Sequence, residues 1–274
     1  MTLKDLISAA LKEDMPQGDL TTESLALKPR QGRAKLKAKQ DLVLSGSEAF
    51  EQTMQTLEPL AKIKWHFEDG QTVLKNQLIC TIEGDLLSIL KAERVALNFL
   101  GRLSGIATLT QLFVAQTLET KTKILDTRKT TPGFRELEKK AVVHGGGHNH
   151  RLNLSTAILI KDNHISVMGG LSAAVQRVRE NCSLPIEVEA STLEQVQEAV
   201  KQKVARILLD NMNNETLKKA LALIPSDIES EASGNMTLER IRSVALLGVH
   251  FISVGALTHS APNADVSLLF DWNP

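Results

Sequence analysis

Cysteine is scarce in this chain, which has only Cys80 and Cys182, and neither belongs to a CxxC or Cys/His pattern. This scarcity argues against a framework of disulfide bonds and against a zinc site built on thiolates. We expect both residues to be small, buried apolar groups in a reducing compartment. A GxGxxG dinucleotide-binding motif and a P-loop are also absent, so neither of those nucleotide sites is expected.

An excess of one charge is missing as well, because 32 basic side chains balance 32 acidic ones. Nucleic-acid-binding and membrane-surface proteins usually carry a basic excess, so we expect neither kind of partner. No apolar run is long enough to span a bilayer. The first residues, MTLKDLISAALKEDMPQGD, lack the basic start and apolar core of a signal peptide, so we expect a cytoplasmic protein.

The 274 residues are enough for one large domain or two ordinary ones, and the pattern changes near residue 122. In the first part, apolar spacing predicts a helix over residues 3–13, and alternation predicts a strand in RAKLKAKQDLVLSG. Short strands joined by Asp-Gly and Glu-Gly turns are predicted in KIKWHFEDGQTVLKNQLICTIEGD. A long helix is predicted from about Leu86 to Ala107.

After residue 122, short apolar runs alternate with helical patterns, which is typical of βα units and parallel strands. The runs are KILDT, AILIKD, PIEVEA, ARILLDN, SDIESEASG and FISVGALTH. These six runs are fewer than the eight strands of a complete TIM barrel. The sequence therefore favours an open, incomplete α/β barrel, with a doubly wound sheet as the alternative.

Charged and polar residues close these runs, where a parallel barrel places its active site. The early runs end in cations and the later ones carry acids: Arg128, Lys129 and Lys161, then Glu187, Glu189, Asp210 and Glu231. A solvated strand end would explain any one of them, but six such ends at one rim predict a binding site. Its ligand would have anionic groups at one end and hydroxyls or a metal at the other.

Two further kinds of segment point to anions. In GGGHNHR, His148 and His150 would share a face of an extended chain, but the adjoining Arg151 would repel a zinc ion, so an anion site is favoured. In EASGNMT and SVGALTH, glycines follow the last two predicted strands, where barrels often bind phosphate. Ordinary turns are the alternative for these two loops.

Together, DTRKTTPG, GGGHNHR, LIKDNH, IEVE, LLDN, EASGN and SVGALTH resemble the quinolinate phosphoribosyltransferase family. ALKEDMPQGDLTTESL and AERVALNFLGRLSGIAT resemble it too, so the likeness covers nearly the whole chain. It implies an α/β fold in which an N-terminal α/β sandwich domain spans residues 1–107 and is joined by the tail 261–274. It also implies an open α/β barrel of six to seven parallel strands over residues 108–260.

The resemblance implies transfer of phosphoribosyl from phosphoribosyl pyrophosphate to quinolinate with decarboxylation. The products would be nicotinate mononucleotide, pyrophosphate and CO2, as in NAD biosynthesis. The implied cofactor is Mg²⁺, bound near Glu189 and Asp210 mainly through substrate oxygens and water. The implied assembly is a homodimer or a hexamer built of dimers, in which Arg94 reaches into the neighbour's active site.

The resemblance also assigns roles to individual residues. Quinolinate and phosphate groups would be bound by Arg128, Lys129, His150, Arg151 and Lys161. Glu189 and Asp210 would face the ribose. Catalysis is expected to depend on Lys129, Lys161, Glu189 and Asp210. The 5′-phosphate region would be held by Ser233, Gly234, Gly255 and His259.

Two positions depart from the family pattern, which has an aromatic residue at Lys140 and commonly glycine at Asn153. We expect these departures to affect local packing and not activity. Two other functions stay open. One is a Schiff-base aldolase with Lys161 as its nucleophile. The other is a non-catalytic anion-binding relative, such as the molybdate-operon protein homologous to this family.

Overall fold

A computed structural model describes residues 2–271 and divides them into two units. Unit 1 comprises residues 2–111, 131–146 and 260–271, and unit 2 comprises residues 112–130 and 147–259. Residues 131–146 belong to unit 1, although they lie within the range 108–260 expected for the barrel domain.

The elements are numbered in chain order. The strands are β1 (Gln31–Ala38), β2 (Leu42–Val43), β3 (Lys62–Trp65), β4 (Thr72–Val73), β5 (Leu78–Asp85), β6 (Lys123–Leu125), β7 (Ile158–Ile160), β8 (Ile186–Ala190), β9 (Arg206–Asp210), β10 (Glu229–Ser233), β11 (Phe251–Ser253) and β12 (Val266–Asp271). The helices are α1 (Leu3–Asp14), α2 (Leu20–Ser24), α3 (Ser47–Leu57), α4 (Leu86–Ala115), α5 (Arg135–His144), α6 (Asp162–Met168), α7 (Leu171–Asn181), α8 (Leu193–Lys201), α9 (Asn214–Leu223), α10 (Leu238–Ala245) and α11 (Ala256–His259).

Unit 1 is built on an antiparallel sheet with the strand order β12-β1-β5-β3. The predicted alternation of β1 is confirmed, because Ala34, Leu36 and Ala38 are buried while the lysines between them are half-buried. Leu36 belongs to a core that also contains Phe50 of α3 and Leu100 of α4. Apolar burial of this kind is the main force that holds a sheet and its helices together. The last strand, β12, returns from the end of the chain to pair with β1.

The predicted helices of unit 1 are confirmed, with shifts at their ends. α1 is capped by Thr2 and Asp5, which accept hydrogen bonds from each other's backbone N–H groups. α4 runs eight residues beyond the predicted end at Ala107 and finishes at Ala115. The predicted Glu83-Gly84 turn is wrong, because both residues continue β5. Gly84 pairs there with Gly32 of β1, so strand pairing outweighs the weak strand propensity of glycine.

Unit 2 contains the predicted open barrel, and each of the six apolar runs forms a strand. Its parallel sheet has the order β6-β11-β10-β9-β8-β7. Consecutive strands are neighbours from β7 to β11, and β11 then pairs with β6, as in a barrel. A doubly wound sheet would reverse direction partway along its order. The doubly wound alternative is therefore wrong, and the barrel is open between β6 and β7, which do not pair within the described chain.

The register of the barrel strands places polar side chains at one rim. On β9, Ile207 and Leu209 are fully buried, whereas Leu208 and Asp210 line a cavity at the barrel mouth. Because side chains alternate along a strand, one face packs apolar residues while the other is free for function. Ser233 at the end of β10 pairs with Asp210 at the end of β9, so both strands present polar residues at the same level.

The two cysteines differ in their surroundings. Cys80 is buried in the core of unit 1, as expected, and burial raises the pKa of its thiol. Cys182 is only half-buried, because it follows the last residue of α7 as that helix ends. Among residues 2–271, no helix is both long and apolar enough to cross a membrane.

Candidate active site

A cavity of about 850 Å³ lies at the carboxyl ends of the parallel strands in unit 2. It brings together eleven of the twelve predicted substrate-binding residues: Arg128, Lys129, His150, Arg151, Lys161, Glu189, Asp210, Ser233, Gly234, Gly255 and His259. The twelfth, Arg94, lies on α4 in unit 1, where its side chain is exposed. The strand-end pattern therefore located one continuous cavity.

One wall of this cavity is cationic. Arg128 and Lys129 follow β6, and the Thr258 hydroxyl of α11 donates a 2.8 Å hydrogen bond to the Lys129 carbonyl. Arg151 donates from Nη1 to the Ala157 carbonyl at 3.0 Å, which fixes its guanidinium at the rim. Burial, and then the charge of Arg128, lower the pKa of Arg151. Cations placed this close to one another favour the binding of an anion.

An ion pair links the cationic wall to the acidic one. Lys161, which follows β7, places its Nζ atom 2.5 Å from Glu189 Oε2 on β8. The Lys161 side chain is half-exposed, whereas Glu189 is mostly buried. Both groups face the cavity, so a substrate anion and Glu189 would compete for the same ammonium group.

Asp210 is oriented by its neighbour Asn211, a residue that the sequence analysis did not single out. Asn211 Nδ2 donates to Asp210 Oδ2 at 2.7 Å, and the Asn211 backbone N–H donates to the Ser233 carbonyl at 3.0 Å. Asn211 has a left-handed backbone with φ 54°. Asparagine tolerates this conformation better than most residues. The Asn that directly follows the apolar run LLD was therefore the feature of the sequence that could have indicated a left-handed turn here.

The late loops approach this region closely. Gly234 has φ 92°, and a Cβ atom there would lie 2.1 Å from Asn211 Oδ1. At Gly255, a Cβ atom would lie 3.1 Å from Lys129 Cδ and 3.2 Å from His259 Nε2. Both glycines therefore leave backbone exposed beside cationic or polar side chains, as the binding of a phosphate requires.

Below the cationic wall, His150 is surrounded by acids. Its Nε2 atom lies 3.3 Å from Glu187 Oε2 and 3.5 Å from Glu231 Oε1. Its Nδ1 atom accepts the Arg151 backbone N–H at 2.7 Å, and the backbone N–H of His150 donates to Asp126 Oδ1 at 2.8 Å. The ring nitrogens of His150 thus face protein groups, which the prediction of a direct substrate contact had not anticipated.

These surroundings shift two pKa values. Burial alone would lower the pKa of His150, but its hydrogen bond to Glu187 and the charges of Glu231 and Glu187 outweigh burial and raise it. Burial, and then the neighbouring Glu187 carboxylate, raise the pKa of Glu231 to about 7. Both shifts act in the same direction, since each favours retention of a proton in the barrel interior.

The two histidines of GGGHNHR, where a zinc site was disfavoured, differ in their surroundings. His148 is exposed, while His150 is drawn inward between Glu187 and Glu231. Those last three residues are the single group in the described chain with three potential metal-ligand atoms within 4.8 Å of one another.

The two departures from the family pattern lie outside the cavity. Lys140 is exposed on α5 and forms an ion pair with Glu48, with 3.4 Å between Nζ and Oε2. Asn153 opens a turn in which its Oδ1 atom accepts the Ser155 backbone N–H at 2.8 Å. Each residue thus has a local structural role of its own.

The chain matches known proteins over nearly all of its length. Residues 19–104 match the N-terminal domain of quinolinate phosphoribosyl transferase, and residues 106–269 match its C-terminal domain. A Synechocystis sp. protein described as a probable nicotinate-nucleotide pyrophosphorylase (carboxylating) is 43% identical over 263 residues, covering 94% of this chain and 89% of the relative.

Solved structures agree with this match. The nicotinate-nucleotide pyrophosphorylase from Ehrlichia chaffeensis is 37% identical, covers 99% of both chains and superposes with a TM-score of 0.95. The corresponding structure from Francisella tularensis is 36% identical, covers 98% of this chain and 96% of its own, and gives a TM-score of 0.94. By sequence and by fold, the chain belongs to the quinolinate phosphoribosyltransferase family.

Proposed function

We propose that this protein transfers the phosphoribosyl group of phosphoribosyl pyrophosphate to quinolinate and releases pyrophosphate and CO2, which leaves nicotinate mononucleotide. The observation that carries the proposal is the cavity of unit 2, in which Arg128, Lys129 and Arg151 face Glu189 and Asp210. Two polyanionic substrates need a cationic wall, and a sugar that develops positive charge needs an acidic one. Membership of the family supports the same reaction.

The cationic wall would bind quinolinate through its two adjacent carboxylates. Arg128 and Arg151 are suited to this task, because a guanidinium group can donate two parallel hydrogen bonds to one carboxylate. Lys161 would exchange Glu189 for a substrate carboxylate. This exchange would release Glu189 to accept hydrogen bonds from ribose hydroxyls.

The transfer step would break the bond between the anomeric carbon and the pyrophosphate oxygen, whose electron pair leaves with pyrophosphate. The pyridine nitrogen of quinolinate supplies the electron pair of the new bond to carbon. Glu189 and Asp210 would stabilise the positive charge that builds up on the ribose in between. Asn211 would hold the Asp210 carboxylate in place for this role.

Decarboxylation would follow on the quaternised ring. The bond between C2 and its carboxylate breaks, CO2 leaves, and the electron pair stays on C2 beside the positive nitrogen until water supplies a proton. Lys129 and Lys161 would bind carboxylates and phosphates throughout and would not act as nucleophiles. Ser233, Gly234, Gly255 and His259 would hold the 5′-phosphate region.

The acidic side of the cavity fits Mg²⁺ that arrives with phosphoribosyl pyrophosphate, because Glu189 and Asp210 offer carboxylate oxygens there. When bound, Mg²⁺ neutralises charge on the leaving pyrophosphate. We assign no residue as its direct ligand, since Mg²⁺ keeps most of its water and substrate ligands.

The proposed assembly is a homodimer, or a hexamer of such dimers, in the cytoplasm. It is supported by Arg94, which is exposed on α4 and lies in a different unit from the cavity. Its guanidinium would complete the quinolinate site of a neighbouring chain.

The experiment that tests the proposal is incubation with quinolinate, phosphoribosyl pyrophosphate and Mg²⁺. We expect CO2 and pyrophosphate to be released in equal amounts. Binding of both substrates without release would favour the anion-binding relative. A borohydride-trapped adduct on Lys161 would favour the aldolase instead.

A further inference from the structure

Two buried glutamates meet one histidine in the interior of unit 2. Glu187 on β8 and Glu231 on β10 approach the same atom, His150 Nε2, at 3.3 Å and 3.5 Å. Glu231 is fully buried, and only 8% of Glu187 is exposed. Two ionised carboxylates this close in a water-poor interior repel each other strongly, so one of them is stabilised by taking up a proton.

Unused hydrogen-bonding atoms point to the same conclusion. Among residues 2–271, Glu187 Oε1 and Glu231 Oε1 are buried side-chain oxygens that receive no hydrogen bond. A buried acceptor without a donor is costly, and the cost is larger for a charged carboxylate. A proton on the glutamate pair removes one negative charge and turns one of these acceptors into a donor.

The charged groups around Glu187 and Glu231 do not fully neutralise the two carboxylates. From β9, Arg206 Nη1 lies 3.3 Å from Glu231 Oε2, but Arg206 also binds Glu229 at 2.7 Å. From the segment after β6, Asp126 adds a buried carboxylate beside the His150 backbone. Arg206 therefore offsets only part of the negative charge in the barrel interior.

On the cavity side, Arg151 and Arg128 contribute positive charge, and Lys161 is paired with Glu189. Arg151 and Arg128 also line the cavity, and the charge of Glu187 acts on Arg151 against the effect of burial on its pKa. Arg151 therefore also offsets part of the negative charge of the two glutamates.

His150 connects the buried acids to that wall. Its Nδ1 atom accepts the Arg151 backbone N–H at 2.7 Å, so the hydrogen of the neutral ring is on Nε2, between the two carboxylates. The ring is thus held from both sides. Its orientation fixes the backbone that carries the Arg151 guanidinium.

We propose that a proton-sharing cluster is formed by Glu187, His150 and Glu231. At neutral pH, this cluster holds one proton in addition to those of a neutral imidazole and two ionised carboxylates. Glu187 and Glu231 are then positioning residues, because they orient His150 and through it Arg151. This positioning role rests on the proposed function, in which Arg151 binds the substrate anion. The proton itself does not depend on that function.

A divalent cation is the competing occupant, since the same three residues offer ligand atoms within 4.8 Å of one another. The surroundings favour the proton. Arg206 lies against Glu231 at 3.3 Å, and Arg151 follows His150 directly. Both guanidinium groups would repel a cation placed among the three ligands.

The first test is NMR of the ligand-free full chain, with ¹⁵N-labelled histidine and ¹³C-labelled glutamate, between pH 5 and 9. We expect His150 and one glutamate to titrate together, with a midpoint above the ordinary histidine value of 6.5. In Glu231→Gln, the His150 midpoint should fall by at least about one pH unit. Glu187→Gln should move it in the same direction and replaces the first variant if that variant does not fold.

The matched control is Glu229→Gln, which removes the other partner of Arg206 at a half-exposed position. It should leave the His150 midpoint within about 0.3 pH unit of wild type, because exposed charges are screened by solvent. The proposal is overturned by a wild-type His150 midpoint below 6, or by a midpoint that neither glutamine variant moves. Saturable binding of added Zn²⁺ that shifts the His150 signals would also overturn it, in favour of a cation site.

A second measurement tests the positioning role: calorimetric titration of quinolinate alone into each variant at pH 7.5. Kd should rise at least about fivefold in both cluster variants and stay unchanged in Glu229→Gln. Equal affinity in all four proteins would overturn the role of Glu187 and Glu231. If no protein binds quinolinate at any pH, the proposed function fails instead, and the NMR titration still decides the cluster.

Discussion

Lys161 Nζ lies 2.5 Å from Glu189 Oε2, and this ion pair joins the carboxyl ends of the neighbouring strands β7 and β8 at the mouth of the barrel. In the ligand-free site each group neutralises the other. A substrate carboxylate that takes Lys161 would leave Glu189 free to face the sugar. The Lys161–Glu189 contact therefore couples binding of a substrate anion at Lys161 to release of the Glu189 carboxylate.

Replacing Glu189 should separate binding from turnover. In Glu189→Gln, kcat should fall by at least about tenfold, because a neutral amide stabilises positive charge on the ribose poorly. KM for quinolinate should not rise, since Lys161 loses a competing partner. Steady-state kinetics check this, with Glu194→Gln on the exposed side of α8 as the control. A raised KM with unchanged kcat would contradict the assigned role.

Removing Arg128 should weaken the cationic wall. We expect Arg128→Ala to lower kcat/KM for quinolinate by at least about tenfold, because a charge-assisted, two-pronged contact is lost. Circular dichroism should show that the variant stays folded. Arg177→Ala, at an exposed arginine paired with Glu180 on α7, should be close to wild type. Near-wild-type kinetics of Arg128→Ala would refute its place in the substrate site.

Two inactive variants should restore activity when they are mixed. Arg94→Ala and Lys161→Ala should each be inactive, because each lacks one part of a shared site. After subunit exchange, some sites would combine an intact Arg94 with an intact Lys161, so part of the activity should return. Activity assays before and after mixing check this. A mixture of Arg94→Ala and Arg128→Ala should also gain activity after subunit exchange. Absence of any recovery after demonstrated exchange would count against a shared interface.

Asn211 should matter for activity more than for stability. In Asn211→Gly the left-handed backbone with φ 54° is retained, but the 2.7 Å hydrogen bond to Asp210 is lost. We expect kcat to fall at least about fivefold with little change in Tm. Asn211→Ala should lose a further ~1 kcal/mol of stability through backbone strain. Thermal denaturation and kinetics on the same samples separate the two effects.

Stability should fall as the pH rises through neutrality. The folded pKa of Glu231 is raised from 4.5 to about 7, and that of His150 is raised above 6.5. A raised folded pKa means that the native state binds more protons than the unfolded chain. The contribution of Glu231 to the free energy of unfolding is thus complete below pH 4.5 and is lost as the pH passes about 7. Urea unfolding of Glu231→Gln should show a flatter pH dependence than wild type between pH 5 and 8.

Much of the barrel could be predicted from local pattern. Each strand of unit 2 is a short apolar run bounded by turns, and the helical patterns between them have the spacing of βα units. The carboxyl ends of parallel strands meet at one rim, so residues such as Arg128, Lys161 and Asp210 could be placed together in advance. The Glu83-Gly84 turn was predicted wrongly for the opposite reason, because only the partner strand shows that Gly84 pairs with Gly32.

The sequence by itself determined which residue types stand at the strand ends, and hence the cationic and acidic character of the cavity. Only the tertiary structure decided how those groups pair. The Lys161–Glu189 contact, the left-handed turn at Asn211 and the enclosure of His150 by Glu187 and Glu231 depend on burial and on distances between separate strands. Local pattern carries no information on such distances, because they are fixed by strand register and by packing across the barrel.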